Sequence, residues 1–237
     1  MFWPYFMDAS YIFVLLAALF SLIASARVNA TFRRYAGFRP SNGITGADAA
    51  RQVLDANGLY DVSIERIAGN LTDHYDPHVR VIRLSDAVYS VSSVAAVGVA
   101  AHEAGHAVQH ATGYFPLAIR NSIVPLTNIG SRLAIPLILL GLFFSEAGDM
   151  FINIAYFGVL CFGLCVAFQL LTLPTEFNAS RRALRAIEDA GMLTSEELSA
   201  SAKVLRAAAM TYVAALAVSI TQFLRLFSMV SRSDRRR

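Results

Sequence analysis

The stretch Met150–Leu173, MFINIAYFGVLCFGLCVAFQLLTL, is apolar apart from Asn153 and Gln169. It is close to the ~20 residues that an α-helix needs to cross a bilayer. Three other blocks share its character. Ile123–Phe144 is apolar apart from Asn128, Ser131 and Arg132; Ala207–Leu224 is nearly free of charge between Arg206 and Arg225; and Tyr11–Ala26, or from Asp8 with its flank, comes first. No basic segment precedes that first block, and Arg27, Arg33, Arg34 and Arg39 follow it. A cleaved signal peptide has the opposite order, so the block is expected to stay as a helical anchor. The fold class expected is an α-helical membrane protein with about four transmembrane helices and a small α+β domain on one membrane face.

The composition of the 237 residues agrees. They are 56% hydrophobic and only 16% charged, where a soluble domain carries about a quarter charged residues, and the mean hydropathy is +0.50. This argues against a cytosolic globule, a disordered chain and a nucleic-acid binder. Cys161 and Cys165 lie four apart inside an apolar run and build neither a disulfide framework nor a Cys-rich metal knuckle.

A long polar stretch separates the first two blocks. Gly43–Asp48 turns into a short helix whose apolar face is Ala49, Ala50, Val53, Leu54 and Ala56, and Asn57-Gly58 stops it. Val62–Ile67 alternates as a strand, and Val79–Leu84 is a second, linked through Asp76-Pro77. A helix plus a hairpin is expected. Ala87–Gly113 is small and apolar, and it is read as a buried helix rather than a span because Ala and Gly contribute little to insertion. After Pro174, Glu176–Gly191 has the pattern of an amphipathic helix, and Thr194-Ser195-Glu196-Glu197 opens another that leads into the last span.

His102-Glu103-Ala104-Gly105-His106 carries the chemistry. Residues four apart share one face of a helix. Two imidazoles so placed can bind one zinc ion, with Glu103 beside the first to act on water as the catalytic base. A catalytic zinc needs a third protein ligand and an open position for water. His110 is a poor choice, since it lies ~12 Å along the axis from His102. Thr112 stands where a longer three-His pattern would need its last ligand. Glu176 is the better candidate, and spacing alone leaves it open between a ligand and an acid favoured by a helix N-terminus.

Two spans separate His106 from Glu176, and an even number returns the chain to the same membrane side. Arg27, Arg33, Arg34, Arg181, Arg182 and Arg185 flank that side, whereas the Ser145–Asp149 loop and the first seven residues carry no positive charge. The positive-inside rule then puts the site in the cytoplasm. The tail Arg232, Arg235, Arg236 and Arg237 opposes this, since four spans would leave it outside.

Ala101–Gln109, Leu71–Pro77, Leu173–Leu184 and Thr211–Leu216 occur in the order of a known pattern. Together they resemble the bacterial membrane-bound neutral zinc metallopeptidases of the YugP type, a gluzincin-like group, over nearly the whole chain from Phe2–Tyr5 to the Arg-rich end. The resemblance implies one zinc ion per chain on His102, His106 and Glu176, with Glu103 as catalytic acid/base. It also implies a multi-pass protein of the bacterial inner membrane. Relatives can carry Asp where this chain has Asn178; if that residue orients a ligand, the amide does so less strongly than a carboxylate.

The expected activity is zinc-dependent endopeptidase cleavage of membrane or unfolded proteins. The alternative is a non-catalytic zinc-binding membrane scaffold or quality-control factor, against which Glu103 argues, because a structural zinc needs no base. The partners expected are a peptide or membrane-protein substrate, the lipid bilayer and, in a homo-oligomer, further copies of the chain; nucleic acid is not among them. ATP-linked membrane proteases that share this motif need a phosphate-binding loop with a Lys, and Lys203 stands outside any such loop. Site-2-type proteases need an Asp-Gly pair, which does not occur here.

Three signals are weaker. His74, Asp76 and His78 cluster at the hairpin and are read as turn chemistry, with a second metal site or the lining of a substrate groove as the alternative. The strand Val79–Leu84 is read as an edge on which an extended peptide could pair. Arg132 in mid-span should face protein or water, with Glu176 or a substrate carboxylate as its partner, unless the span starts after it. The organisation expected is an anchor over 1–26, a zinc region over 27–121, a transmembrane hairpin over 122–173, a ligand-bearing helix over 174–203, and a last span with its basic tail over 204–237.

Overall fold

The computed structural model describes residues 10–235. Asp8, the Phe2–Tyr5 start, the first seven residues and Arg236–Arg237 of the sequence reading lie outside them. Four helices are long and apolar enough to cross a membrane: α1 (Ser10–Ala36), α4 (Phe115–Phe143), α5 (Asp149–Asp189) and α6 (Ser195–Arg235). Between α1 and α4 lie α2 (Gly46–Ala56), β1 (Ser63–Ile67), β2 (His74–Asp76), β3 (Val81–Ser85) and α3 (Val94–Ala111). The protein is thus a helical membrane protein with a small α+β part. It divides into two compact units, one of residues 24–118 and 174–211, the other of the remaining described residues.

In the α+β unit, local chemistry sets the elements. Thr45 and Asp48 form a capping box at the start of α2, and Gly58 at φ +72° follows its end. Ser93 caps α3 through the Ala96 amide. Thr194 and Glu197 exchange hydrogen bonds at the start of α6, as the sequence led one to expect. Helix α3 is buried along nearly its whole length. It packs in one core with Val53 and Leu54 of α2, Ile82 and Leu84 of β3, Ile187 of α5 and Val204 of α6. The small apolar run before the motif is therefore a buried helix.

The sheet corrects the expected hairpin. Its order is β1-β3-β2, with β1 parallel to β3 from Ser63↔Val81 to Ile67↔Ser85 and β2 antiparallel to β3 from His74↔Arg83 to Asp76↔Val81. Parallel strands cannot be joined by a tight turn. The link between them holds the third strand, and the actual hairpin is β2–β3, where Asp76 accepts the His78 amide at 3.0 Å. Val79–Leu84 is accordingly no edge: β3 lies in the middle, and the edges are β1 and β2.

A second correction concerns Glu176. It does not open a new helix, because α5 runs unbroken from Asp149 to Asp189 with Pro174 inside it. Proline deletes one helical hydrogen bond, and the turns on either side keep theirs.

In the other unit, Ile138, Ile152, Ala155, Val159, Leu226 and Val230 form the core. Helices α4 and α5 approach closely where glycines allow it. A Cβ on Gly141 would sit 2.5 Å from the Phe151 carbonyl oxygen, and one on Gly158 would sit 2.8 Å from that of Ala134. Small residues at such crossings are how membrane helices pack. Large side chains such as Leu133, Leu139, Leu140, Phe157 and Leu160 stay exposed, as lipid-facing residues do.

Candidate metal centre

His102 and His106 lie one turn apart on α3, so their rings meet edge to face with centroids 4.7 Å apart. Helix α5 brings Glu176 to them. Its Oε2 is 3.2 Å from His102 Nε2 and 3.5 Å from His106 Nε2. The close packing of the two helices depends on Gly105, between the two histidines: a Cβ there would stand 2.8 Å from the Ala179 carbonyl oxygen. The motif thus supplies both the imidazoles and the gap through which the third residue arrives. The three ligand atoms lie within 4.8 Å of one another.

The two His–Glu separations suit zinc. Two donors each about 2.0–2.1 Å from a tetrahedral ion stand about 3.3 Å apart, and the two measured His–Glu separations bracket that value. Two imidazoles and one carboxylate are also a donor set that zinc accepts. Burial on its own lowers the pKa of His106, but its hydrogen bond to Glu176 and the charges of Glu176 and Glu103 outweigh burial and raise it. A carboxylate set against two imidazole nitrogens attracts a cation.

Both outer ring nitrogens are engaged. His102 Nδ1 is 3.1 Å from Ser180 Oγ. His106 Nδ1 is 3.0 Å from Gln109 Oε1. Gln109 is fully buried and donates through Nε2 to the Thr175 carbonyl at 2.8 Å and to Asn178 Oδ1 at 2.9 Å. Asn178 Oδ1 also accepts from Arg182 Nε at 2.8 Å. Asn178 therefore reaches His106 through Gln109 and not directly. Glu103 is buried, 9% exposed, and among the described residues no hydrogen bond to its carboxylate is seen.

The other sequence candidates are not among the clustered residues. His74 is exposed, with Nδ1 2.9 Å from the Thr72 carbonyl oxygen. His110 is exposed, with Nδ1 2.9 Å from the Tyr75 hydroxyl. Arg132 belongs to the other unit, where it is exposed on α4. The sequence reading missed the parts played by Gln109, Ser180 and Thr175. The signal was there for two of them: Gln109 lies three residues past His106 and Ser180 four past Glu176, the spacings that put side chains on one helix face.

Two histidines and a glutamate near a buried glutamate are a donor set that metal-dependent hydrolases use, here on a chain with four helices long and apolar enough to cross a membrane. The chain belongs to the family described as "Putative neutral zinc metallopeptidase", whose model matches residues 10–231. It is 45% identical over 226 residues to "Putative membrane protease YugP" of Bacillus subtilis (strain 168), covering 95% of this chain and 98% of that protein. No solved structure matches.

Proposed function

We propose that this protein is a multi-pass zinc metalloendopeptidase of the gluzincin type, with His102, His106 and Glu176 as zinc ligands and Glu103 as the acid/base. The observation that carries the proposal is the meeting of α3 and α5 at the cluster: residues 74 apart in sequence place Nε2 and Oε2 3.2 Å apart next to Glu103. Membership in a zinc metallopeptidase family supports the same reading.

When bound, zinc supplies Lewis-acid activation of water and of the peptide carbonyl. Glu103 takes a proton from the attacking water as the water oxygen bonds to the carbonyl carbon. The C–N bond then breaks, and Glu103 returns the proton to the leaving nitrogen. Its burial among apolar α3 neighbours strengthens each of these electrostatic interactions.

The substrate is an extended segment of a membrane or unfolded protein, and the site faces the cytoplasm. The charge pattern supports that orientation: Arg181, Arg182 and Arg185 follow the apolar part of α5, while the Ser145–Asp149 link has no basic residue. The test uses full-length protein in detergent, with an unfolded membrane protein as substrate, in the presence and absence of a zinc chelator. Chelation should abolish cleavage and added zinc should restore it. Glu103→Gln should keep one zinc per chain and lose cleavage. Cleavage by Glu103→Gln at the wild-type rate would leave the zinc scaffold as the better description.

A further inference from the structure

The hydrogen bonds around His106 have two ends whose direction chemistry dictates. Arg182 can only donate, so the atom that its Nε meets at 2.8 Å is the oxygen of Asn178. The Thr175 carbonyl can only accept, so the Gln109 atom 2.8 Å from it is the amide nitrogen. That nitrogen also donates to Asn178 Oδ1 at 2.9 Å, and both of its protons are then used. The remaining Gln109 atom, 3.0 Å from His106 Nδ1, is an oxygen and accepts. Nδ1 must carry a proton, so the lone pair that a metal would take up is that of Nε2, which faces Glu176 Oε2 at 3.5 Å.

We infer that Gln109, locked between Thr175 and the Asn178–Arg182 pair, is the positioning residue that fixes His106 in the Nδ1–H tautomer and holds Nε2 as a preformed metal ligand. The inference rests on the metal-centre reading above and adds residues whose part in the site is to orient a ligand. The two histidines differ in this respect. The partner of His102 is the hydroxyl of Ser180, at 3.1 Å, and a hydroxyl can donate or accept. The tautomer of His102 is free to follow the metal, whereas that of His106 is set in advance. Both partners are neutral, unlike the carboxylates that often back zinc-bound histidines.

The decisive measurement is nitrogen NMR of the full chain with 15N-labelled histidine, in detergent and loaded with zinc, with signals assigned by single histidine replacements. His106 should be protonated at Nδ1 and bound to metal through Nε2; protonation at Nε2 would overturn the inference. Chelator-treated protein should likewise keep the proton on Nδ1, facing the Gln109 oxygen. That reading decides the matter even if no zinc is held, and it does not depend on cleavage. Zinc affinity, by competition with a chromophoric chelator, gives a second readout. Gln109→Met should weaken it about 10–100-fold, the usual cost of losing an outer-shell partner. Arg182→Met, at a partly exposed position, should weaken it less. Asn178→Asp should leave it near the wild-type value, because a carboxylate oxygen accepts from the same two donors. A folded Gln109→Met protein with wild-type zinc affinity would refute the positioning role. Should Gln109→Met not fold, the wild-type tautomer and the Arg182→Met and Asn178→Asp affinities still support or refute that role.

Discussion

Helices α3 and α4 are separated by three residues, Thr112–Tyr114, and both are apolar, yet they solve opposite problems. Helix α3 is built from Ala, Val and Gly and is buried over most of its surface. Helix α4 is built from Leu, Ile and Pro and exposes Leu126, Ile129, Leu133, Ile135, Leu139 and Leu140. Small side chains let neighbouring backbones come close, which suits a helix that must gather polar groups from elsewhere. Large side chains offer area to lipid, where the gain comes from leaving water rather than from close fit. Apolar content alone therefore does not distinguish a membrane helix from a core helix; side-chain size does.

The contrast can be broken most sharply at the polar centre of α3. Glu103→Gln should lower kcat about 10²–10⁴-fold, the usual contribution of an acid/base group, with zinc content unchanged. Peptide-release kinetics and elemental analysis on one preparation would check both halves. Next in size is Gly105→Val. The added side chain meets the Ala179 carbonyl and must push α5 from α3, so a loss of about 1–3 kcal/mol should appear in denaturant unfolding together with weakened zinc binding. Gly141→Val probes the same packing principle in the other unit, since its Cβ would press on Phe151 and Ala155. A similar loss of about 1–3 kcal/mol is expected, but zinc affinity should hold. Equal zinc loss in both variants would remove the distinction between the two packing sites. The smallest effect belongs to Leu139→Ala on the exposed face of α4, which should shift stability by no more than about 0.5 kcal/mol and leave zinc content unchanged. A large cost there would show that this face of α4 is covered by protein rather than by lipid.

Much of this was legible in the chain. The four apolar blocks, the buried character of the run ahead of His102 and the pairing of His102 with His106 all follow from local pattern. Glu176 was legible as a candidate only, because a carboxylate near the start of a polar helical segment also fits a helix-dipole role. Strand β2 escaped notice because three residues, His74–Asp76, are too few to show an alternation. Without β2, the two longer strands look like a hairpin and β3 like an edge. Asn178 was marked as an orienting position, but the intermediate, Gln109, was not, because its partners lie on α5 more than sixty residues away.

The sequence by itself determined the membrane class, the number of long apolar helices, and the His-Glu-x-x-His face. Hydropathy and helical spacing act over twenty residues or fewer, and each block carries its own signal. The tertiary structure decided which carboxylate meets the two imidazoles, which strand lies at the centre of the sheet, and which nitrogen of His106 faces that carboxylate. Each of these depends on contacts between distant segments, and at the metal centre they depend on how closely α5 can approach α3 across Gly105.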